Sequence, residues 1–135
     1  MTKMKKTIIC SLALLVLAAT FQSATQKGSG IITKEDGMTV VNTTELGKDV
    51  VGYVATTPVK IYIKKNKVVK VEALKNQETP KYFVKVKKQL MDKWNDKKVS
   101  DAAKMQVDGV TGATFSSDAV IKNVQLGLDY YQKNK

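Results

Sequence analysis

The clearest hydrophobic pattern lies in residues 59–74, where apolar and polar positions alternate along two runs. The apolar positions are Val59, Ile61 and Ile63 in the first run and Val69, Val71 and Ala73 in the second. Because side chains of a strand point alternately to its two faces, each run is typical of a strand with one buried face. Lys65-Asn66-Lys67 separates the runs, so the pattern predicts a β-hairpin with lysines on its outer face.

Two later segments repeat apolar residues every three or four positions, which is the spacing of one helix face. The first predicted helix begins at Thr79, with Pro80 at its first position. Its apolar stripe consists of Phe83, Val86, Leu90 and Trp94. The last predicted helix covers roughly residues 117–132, and we expect Ser116 or Ser117 as its N-cap. Its apolar stripe consists of Val120, Ile121, Val124, Leu128 and Tyr131.

The remaining elements carry weaker patterns. Asp36-Gly37, between apolar and β-branched residues, indicates a short hairpin. Val50–Val54 is predicted as a short strand, and residues 97–106 as a polar connection with a turn or short helix. Strands followed by helices predict an α+β fold, in which a small antiparallel sheet or meander is packed by two or three helices.

The N-terminal pattern differs from the rest of the chain. Three lysines within the first six residues precede an apolar run from Ile8 to Ala19, and small residues follow up to Ala24. This order is typical of a secretory signal peptide, and the run is short for a membrane span. An uncleaved N-terminal anchor is the alternative. We therefore expect a signal peptide at residues 1–24, a leader with a short hairpin at 25–48, and a domain at 49–135.

Composition narrows the chemistry that the chain can perform. Its 135 residues include 23 basic residues, all of them lysine, 12 acidic residues and no histidine, for a formal charge of +11. The absence of histidine excludes histidine-based acid–base catalysis and histidine metal ligation. Lysine lacks the planar fork with which arginine reads base edges, so no nucleic-acid partner is expected. The one cysteine, Cys10, lies in the predicted signal peptide and can form no intrachain disulfide.

Residues 108–117, Asp-Gly-Val-Thr-Gly-Ala-Thr-Phe-Ser-Ser, place small and hydroxyl-bearing residues at the start of the last predicted helix. The first turn of a helix has free N–H groups and a partial positive charge, and small residues let an anion approach them. The segment is therefore a candidate phosphate site, although a merely solvated loop is the alternative. The candidate residues are Asp108, Thr111, Gly112, Ala113, Thr114, Ser116 and Ser117.

The motif Asp-x-x-Thr-Gly-Ala-Thr at residues 108–114 resembles the signature of the FMN-binding domain family. The order of the preceding segments is also similar to the family: Gly52-Tyr53, Pro58-Val59-Lys60, the lysine-rich hairpin and Glu78-Thr79-Pro80. The resemblance covers residues 49–132. Members of this family occur in flavin-bearing subunits of the sodium-pumping NADH:quinone reductase and of Rnf-type electron-transport complexes, and as small exported proteins.

The resemblance implies that FMN is joined through a phosphoester to the second threonine of the motif, which is Thr114 here. A Mg-dependent FAD:protein FMN transferase, acting outside the cytoplasm, would make the bond and would recognise Asp108. An alternative role for Asp108 is an Asx-type turn that opens the loop. The chain has no histidine that could activate the threonine, which also favours attachment by a second protein.

The resemblance further implies that Glu78 and Thr79 lie near the isoalloxazine ring, although Lys81 stands where the family pattern has glycine. Gly52 would let the backbone pass close to the cofactor. The aromatic candidates for ring contact are Tyr53, Tyr82 and Trp94. Trp94 lies on the apolar stripe of the first predicted helix, which favours a place in the core.

We therefore expect an exported electron carrier that holds FMN, located in the periplasm or on the outer face of the cytoplasmic membrane. Its partners would be the transferase and membrane or secreted redox proteins. Two alternatives remain at the level of sequence. One is a flavin-free basic module that binds an anionic cell-surface ligand, and the other is a small flavin-dependent reductase. The carrier is favoured over the reductase because the sequence has no Rossmann-type glycine pattern for a second nucleotide.

Overall fold

The computed structural model describes residues 30–135, and their centre is a four-stranded antiparallel sheet with the strand order β1-β2-β3-β4. The strands are β1 (Ile32–Glu35), β2 (Met38–Asn42), β3 (Val59–Lys64) and β4 (Lys67–Ala73). The predicted signal peptide at 1–24 and the first part of the predicted leader lie outside the described residues. The hairpin assigned to the leader, in contrast, pairs with the rest of the sheet, since β2 is hydrogen-bonded to β3.

Both predicted hairpins are confirmed, and both close through residues with positive φ. Asp36 and Gly37 have φ angles of 50° and 78°, as expected of a two-residue turn whose twist matches the strands. Lys65 and Asn66 have φ angles of 51° and 62°, so they adopt the same left-handed conformation although neither is glycine. Tyr131 donates a hydrogen bond to the Asn66 side chain at 2.9 Å, which supports this less favourable turn.

The side-chain pattern of β4 differs from the predicted one because the β3–β4 pairing contains a bulge. Tyr62 pairs with Lys70 while Ile63 pairs with Val68, so Val69 is the extra residue. Val68 is fully buried and Val71 is buried, whereas Val69 is 38% exposed. The prediction of an inward Val69 is therefore wrong, since the bulge changes the two-residue alternation of the strand.

Helices cover one face of the sheet, which confirms the α+β fold. They are α1 (Pro80–Gln89), a 3-10 turn (Met91–Trp94), α2 (Val99–Ala102) and α3 (Thr114–Asn134). The four residues of the first predicted stripe are buried, and Trp94 belongs to the core. The predicted extent of this helix is wrong at its C-terminal end, because the helix ends at Gln89 and Trp94 lies in the 3-10 turn that follows. In the described part of the chain, no helix is both long and apolar enough to cross a membrane.

The long helix α3 is fixed on β2 and β3 by close packing and by a buried polar network. A Cβ atom on Gly127 would lie 2.6 Å from Ile61 Cδ1, so the small residue allows the helix to approach the sheet. The Thr43 hydroxyl donates to Asn123 Oδ1 at 2.8 Å and accepts the Val59 N–H at 2.9 Å. These contacts hold α3 in place, and with it the motif at its N-terminus.

Candidate functional site

A tight turn at residues 51–56 is wrapped around the carboxylate of Glu78. The Tyr53 N–H donates to Glu78 Oε1 at 2.8 Å. The N–H groups of Val54 and Ala55 donate to Oε2 at 2.7 and 3.0 Å. The strand predicted at Val50–Val54 is wrong, because this backbone folds around a side chain and forms only an isolated bridge between Val51 and Thr56.

Gly52 is the residue that allows the turn to close on the carboxylate. A Cβ atom at this position would lie 2.6 Å from Glu78 Oε1, well inside van der Waals contact. The close approach that the structure shows at Gly52 is to Glu78, and the predicted approach to the cofactor stays a prediction.

Glu78 also reaches the motif, because the Ser116 hydroxyl donates to its Oε1. The glutamate is only 4% exposed. Burial by itself would raise the pKa of Glu78. The Ser116 hydroxyl and the three backbone N–H groups outweigh it and lower the pKa below the ordinary value of 4.5. The side chain is thus a buried anion that holds two segments together.

The last helix begins three residues earlier than predicted, at Thr114, with Ala113 as its N-cap. The expected N-cap at Ser116 or Ser117 is wrong, because both hydroxyls have partners inside the fold. Ser117 Oγ donates to the Ala113 carbonyl at 2.7 Å and accepts the Val110 N–H at 2.9 Å. These bonds fold the loop back onto the first turn of α3.

The N-terminus of α3 is left without a side-chain cap. The Ser117 N–H bonds to the Ala113 carbonyl at 2.9 Å and is the first backbone bond of the helix. The N–H groups of the preceding residues, Thr114 to Ser116, therefore have no partner within the helix. Gly112, with a φ of 87°, turns the chain just before them. The result is a helix start suited to an anion.

A pocket of about 350 Å³ opens beside this helix start. Its lining residues are Tyr53, Thr79, Tyr82, Gly112, Ala113, Thr114, Phe115 and Ser116. The rings of Tyr53 and Phe115 are stacked with centroids 6.3 Å apart, although they are 70% and 65% exposed. The pocket therefore has an anion-binding end at α3 and an aromatic wall.

The pocket gathers six of the ten residues selected from the sequence: Tyr53, Thr79, Gly112, Ala113, Thr114 and Ser116. Glu78 lies behind it through its bond to Ser116. Three others, Asp108, Thr111 and Ser117, are not among the lining residues. Ring contact by Glu78 and recognition of Asp108 stay predictions. Lys81 places its ammonium 5.5 Å from the Tyr82 ring centre and is not in the lining.

Sequence reasoning missed Phe115 as a pocket residue. It follows Thr114 directly but is not part of the apolar stripe of α3, so it is exposed instead of packed. A large aromatic residue off the stripe, inside a hydroxyl-rich motif, was the available signal.

Comparison with known families identifies the domain. The model of the FMN-binding domain family matches residues 52–129, which is more than half of the chain. The chain therefore belongs to the FMN-binding domain family, as its motif indicated, and FMN is the cofactor of this domain. No curated protein and no solved structure matches the chain.

The residues of the pocket fit this cofactor. Its volume lies in the range of small-molecule sites, and it joins polar groups at one end to an apolar wall, as FMN joins a phosphate to a tricyclic ring. The uncapped start of α3 would hold the phosphate, and Tyr53, Tyr82 and Phe115 would contact the ring. FMN supplies the transfer of electrons or hydride when bound, and the chain supplies the binding and the orientation.

Proposed function

We propose that this protein is an exported electron carrier whose FMN is joined through a phosphoester to Thr114. The observation that supports this most strongly is the position of the Thr114 hydroxyl. Thr114 is the first residue of α3, lines the pocket and is exposed as a residue. A phosphate that accepts the free N–H groups of this first turn lies within reach of that oxygen.

The other hydroxyls of the motif are less suited to esterification. Those of Ser116 and Ser117 are buried, and each already donates a hydrogen bond. Thr111 is exposed but lies outside the pocket lining. Thr114 therefore combines the two properties that the ester requires, access to the transferase and a place in the pocket.

A FAD:protein FMN transferase would make the bond. The Thr114 oxygen would bond to the FMN phosphorus of FAD, the bond from that phosphorus to the AMP portion would break, and AMP would leave. The threonine proton would pass to a base of the transferase, since this chain has no histidine. Flavin fluorescence in a denaturing gel tests this, because an ester survives denaturation. We expect a fluorescent band from a host with the transferase and none from a host without it.

The N-terminal pattern supports export, with a charged start, an apolar run and small residues up to Ala24. The protein would then work in the periplasm or on the outer face of the cytoplasmic membrane, where the transferase also acts. Cell fractionation together with the intact mass of the mature chain tests this. A full-length chain retained in the cytoplasm would contradict export.

Steady-state oxidation of NADH distinguishes an electron carrier from a reductase. The proposed flavin would occupy the pocket beside Thr114, and the sequence offers no glycine pattern for a nicotinamide nucleotide. Electrons would come from a membrane or secreted redox protein, steered by the lysine-rich surface toward acidic partners. We expect the isolated flavin-loaded chain to show no steady-state NADH oxidation and to be reduced rapidly by a redox partner. Sustained turnover with NADH alone would favour the reductase.

A further inference from the structure

Lys85 brings a positive charge to the phosphate end of the pocket from a second element. Its Nζ lies 3.8 Å from the position that a Cβ atom on Gly112 would occupy. Gly112 lines the pocket two residues before Thr114. Lys85 lies one turn after Tyr82 on α1, and residues at this spacing share a helix face. That face therefore carries Tyr82, which lines the pocket, and Lys85, which is not in the lining but places its ammonium group beside the lining residue Gly112.

The ammonium group of Lys85 is not used within the described part of the protein. The ion pairs found among residues 30–135 are Lys60 with Glu35 and Lys70 with Glu72. Lys85 is exposed, so its side chain can move toward a ligand without breaking a contact in the core. It therefore stands as an unpaired cation beside a helix start that is itself positive and uncapped.

We infer that Lys85 pairs with the phosphate of FMN and gives the site its preference for the phosphorylated flavin over riboflavin. This inference rests on FMN binding in the pocket beside Thr114. A phosphate monoester carries close to two negative charges and an ester to Thr114 carries one, so the pairing holds before and after attachment. Lys85 is a binding residue for the phosphate and has no part in electron transfer.

The test compares FMN with riboflavin, which share the ring and differ in the phosphate. Wild type, Lys85→Gln, Lys85→Arg and Lys87→Gln are produced without the transferase, so that binding is non-covalent and can be titrated by flavin fluorescence. Lys87 is the matched control, since it is an exposed lysine of the same helix and lies about 200° around the helix axis from Lys85. We expect Lys85→Gln to bind FMN roughly tenfold more weakly and to bind riboflavin as wild type does.

The controls separate the pairing from other effects. Lys85→Arg keeps the charge and is expected to retain FMN affinity, and Lys87→Gln is expected to match wild type. Added salt should weaken FMN binding more in wild type than in Lys85→Gln. Equal losses for both flavins, or no loss for FMN, would overturn the inference while leaving the flavin site intact. Failure of wild type to bind either flavin would overturn the site itself.

Discussion

Ser116 donates its hydroxyl hydrogen to the buried carboxylate of Glu78, and this bond joins the two sides of the pocket beside Thr114. The same carboxylate holds the turn at residues 51–56, which carries Tyr53. Ser116 lies in the first turn of α3, two residues after Thr114. A single side chain thus sets the turn that carries Tyr53 relative to the start of α3.

Glu78→Gln should therefore cost both stability and flavin binding. A glutamine amide replaces one acceptor oxygen with a donor, and either orientation leaves at least one N–H group of the turn without a partner. We expect the free energy of unfolding to fall by about 2–3 kcal/mol, measured by urea denaturation. The exposed Glu45→Gln is the control and should stay within about 0.5 kcal/mol of wild type. Equal effects of the two substitutions would contradict the role of Glu78.

The contribution of Glu78 should also depend on pH. Its pKa is lowered in the folded state, so its stabilisation is fully present above the ordinary value of 4.5 and is lost as pH falls through the lower folded-state value. The stability difference between wild type and Glu78→Gln should therefore be constant near neutral pH and narrow as the pH falls below 4.5. Denaturation curves collected between neutral and acid pH test this. A difference that widens on acidification would rule it out.

Gly52→Ala should disturb the same turn from the backbone side. The added methyl group would lie 2.6 Å from Glu78 Oε1, so the turn or the carboxylate must shift. We expect a loss of about 1–3 kcal/mol in the free energy of unfolding and weaker flavin binding, because Tyr53 moves with the turn. Gly30→Ala is the control, since a Cβ atom there has nothing within 4 Å. Unchanged flavin affinity in Gly52→Ala would contradict the prediction that this turn positions Tyr53 for flavin binding.

Replacing the exposed aromatic pair, Tyr53 and Phe115, should weaken the binding of the flavin ring and leave the binding of the phosphate unchanged. Tyr53 and Phe115 stack in the pocket wall with little burial, so their packing contributes little to folding. In Tyr53→Leu and Phe115→Leu we expect weaker binding of FMN and of riboflavin by the same factor, about 0.5–1.5 kcal/mol for each lost stacking contact. This is the opposite selectivity to that of Lys85→Gln. Val69→Ala, at an exposed position on β4, should leave both affinities unchanged.

The parts of the fold that were predictable from sequence are those fixed by local pattern. The alternation around Ile61 predicted β3, and the three- and four-residue spacing of Phe83 and Val86 predicted α1. The bulge at Val69 was not predictable, because the register of β4 is set by its pairing with β3. Local preference alone could not reveal it.

The residues of the candidate site were predictable where they lie in one contiguous motif. The partners of their side chains were not predictable where tertiary contacts determine them. Gly112 and Thr114 lie two positions apart within one motif, and the motif selected both. Ser117 has the N-cap preference of serine, but the Val110 N–H and the Ala113 carbonyl bind its hydroxyl, so the helix starts earlier. The role of Glu78 depends on segments that meet only in the folded chain, and no spacing rule indicates it.

The measurement that tests the central claim most directly is peptide mass spectrometry of protein produced with the transferase. Cleavage after Lys104 and Lys122 releases a peptide that contains the whole motif. We predict a mass increase of one FMN minus one water, with fragment ions that assign it to Thr114. Thr111→Val should keep this modification and Thr114→Val should lose it. An unmodified wild-type peptide, or a modification on another hydroxyl, would contradict the claim that Thr114 anchors the flavin.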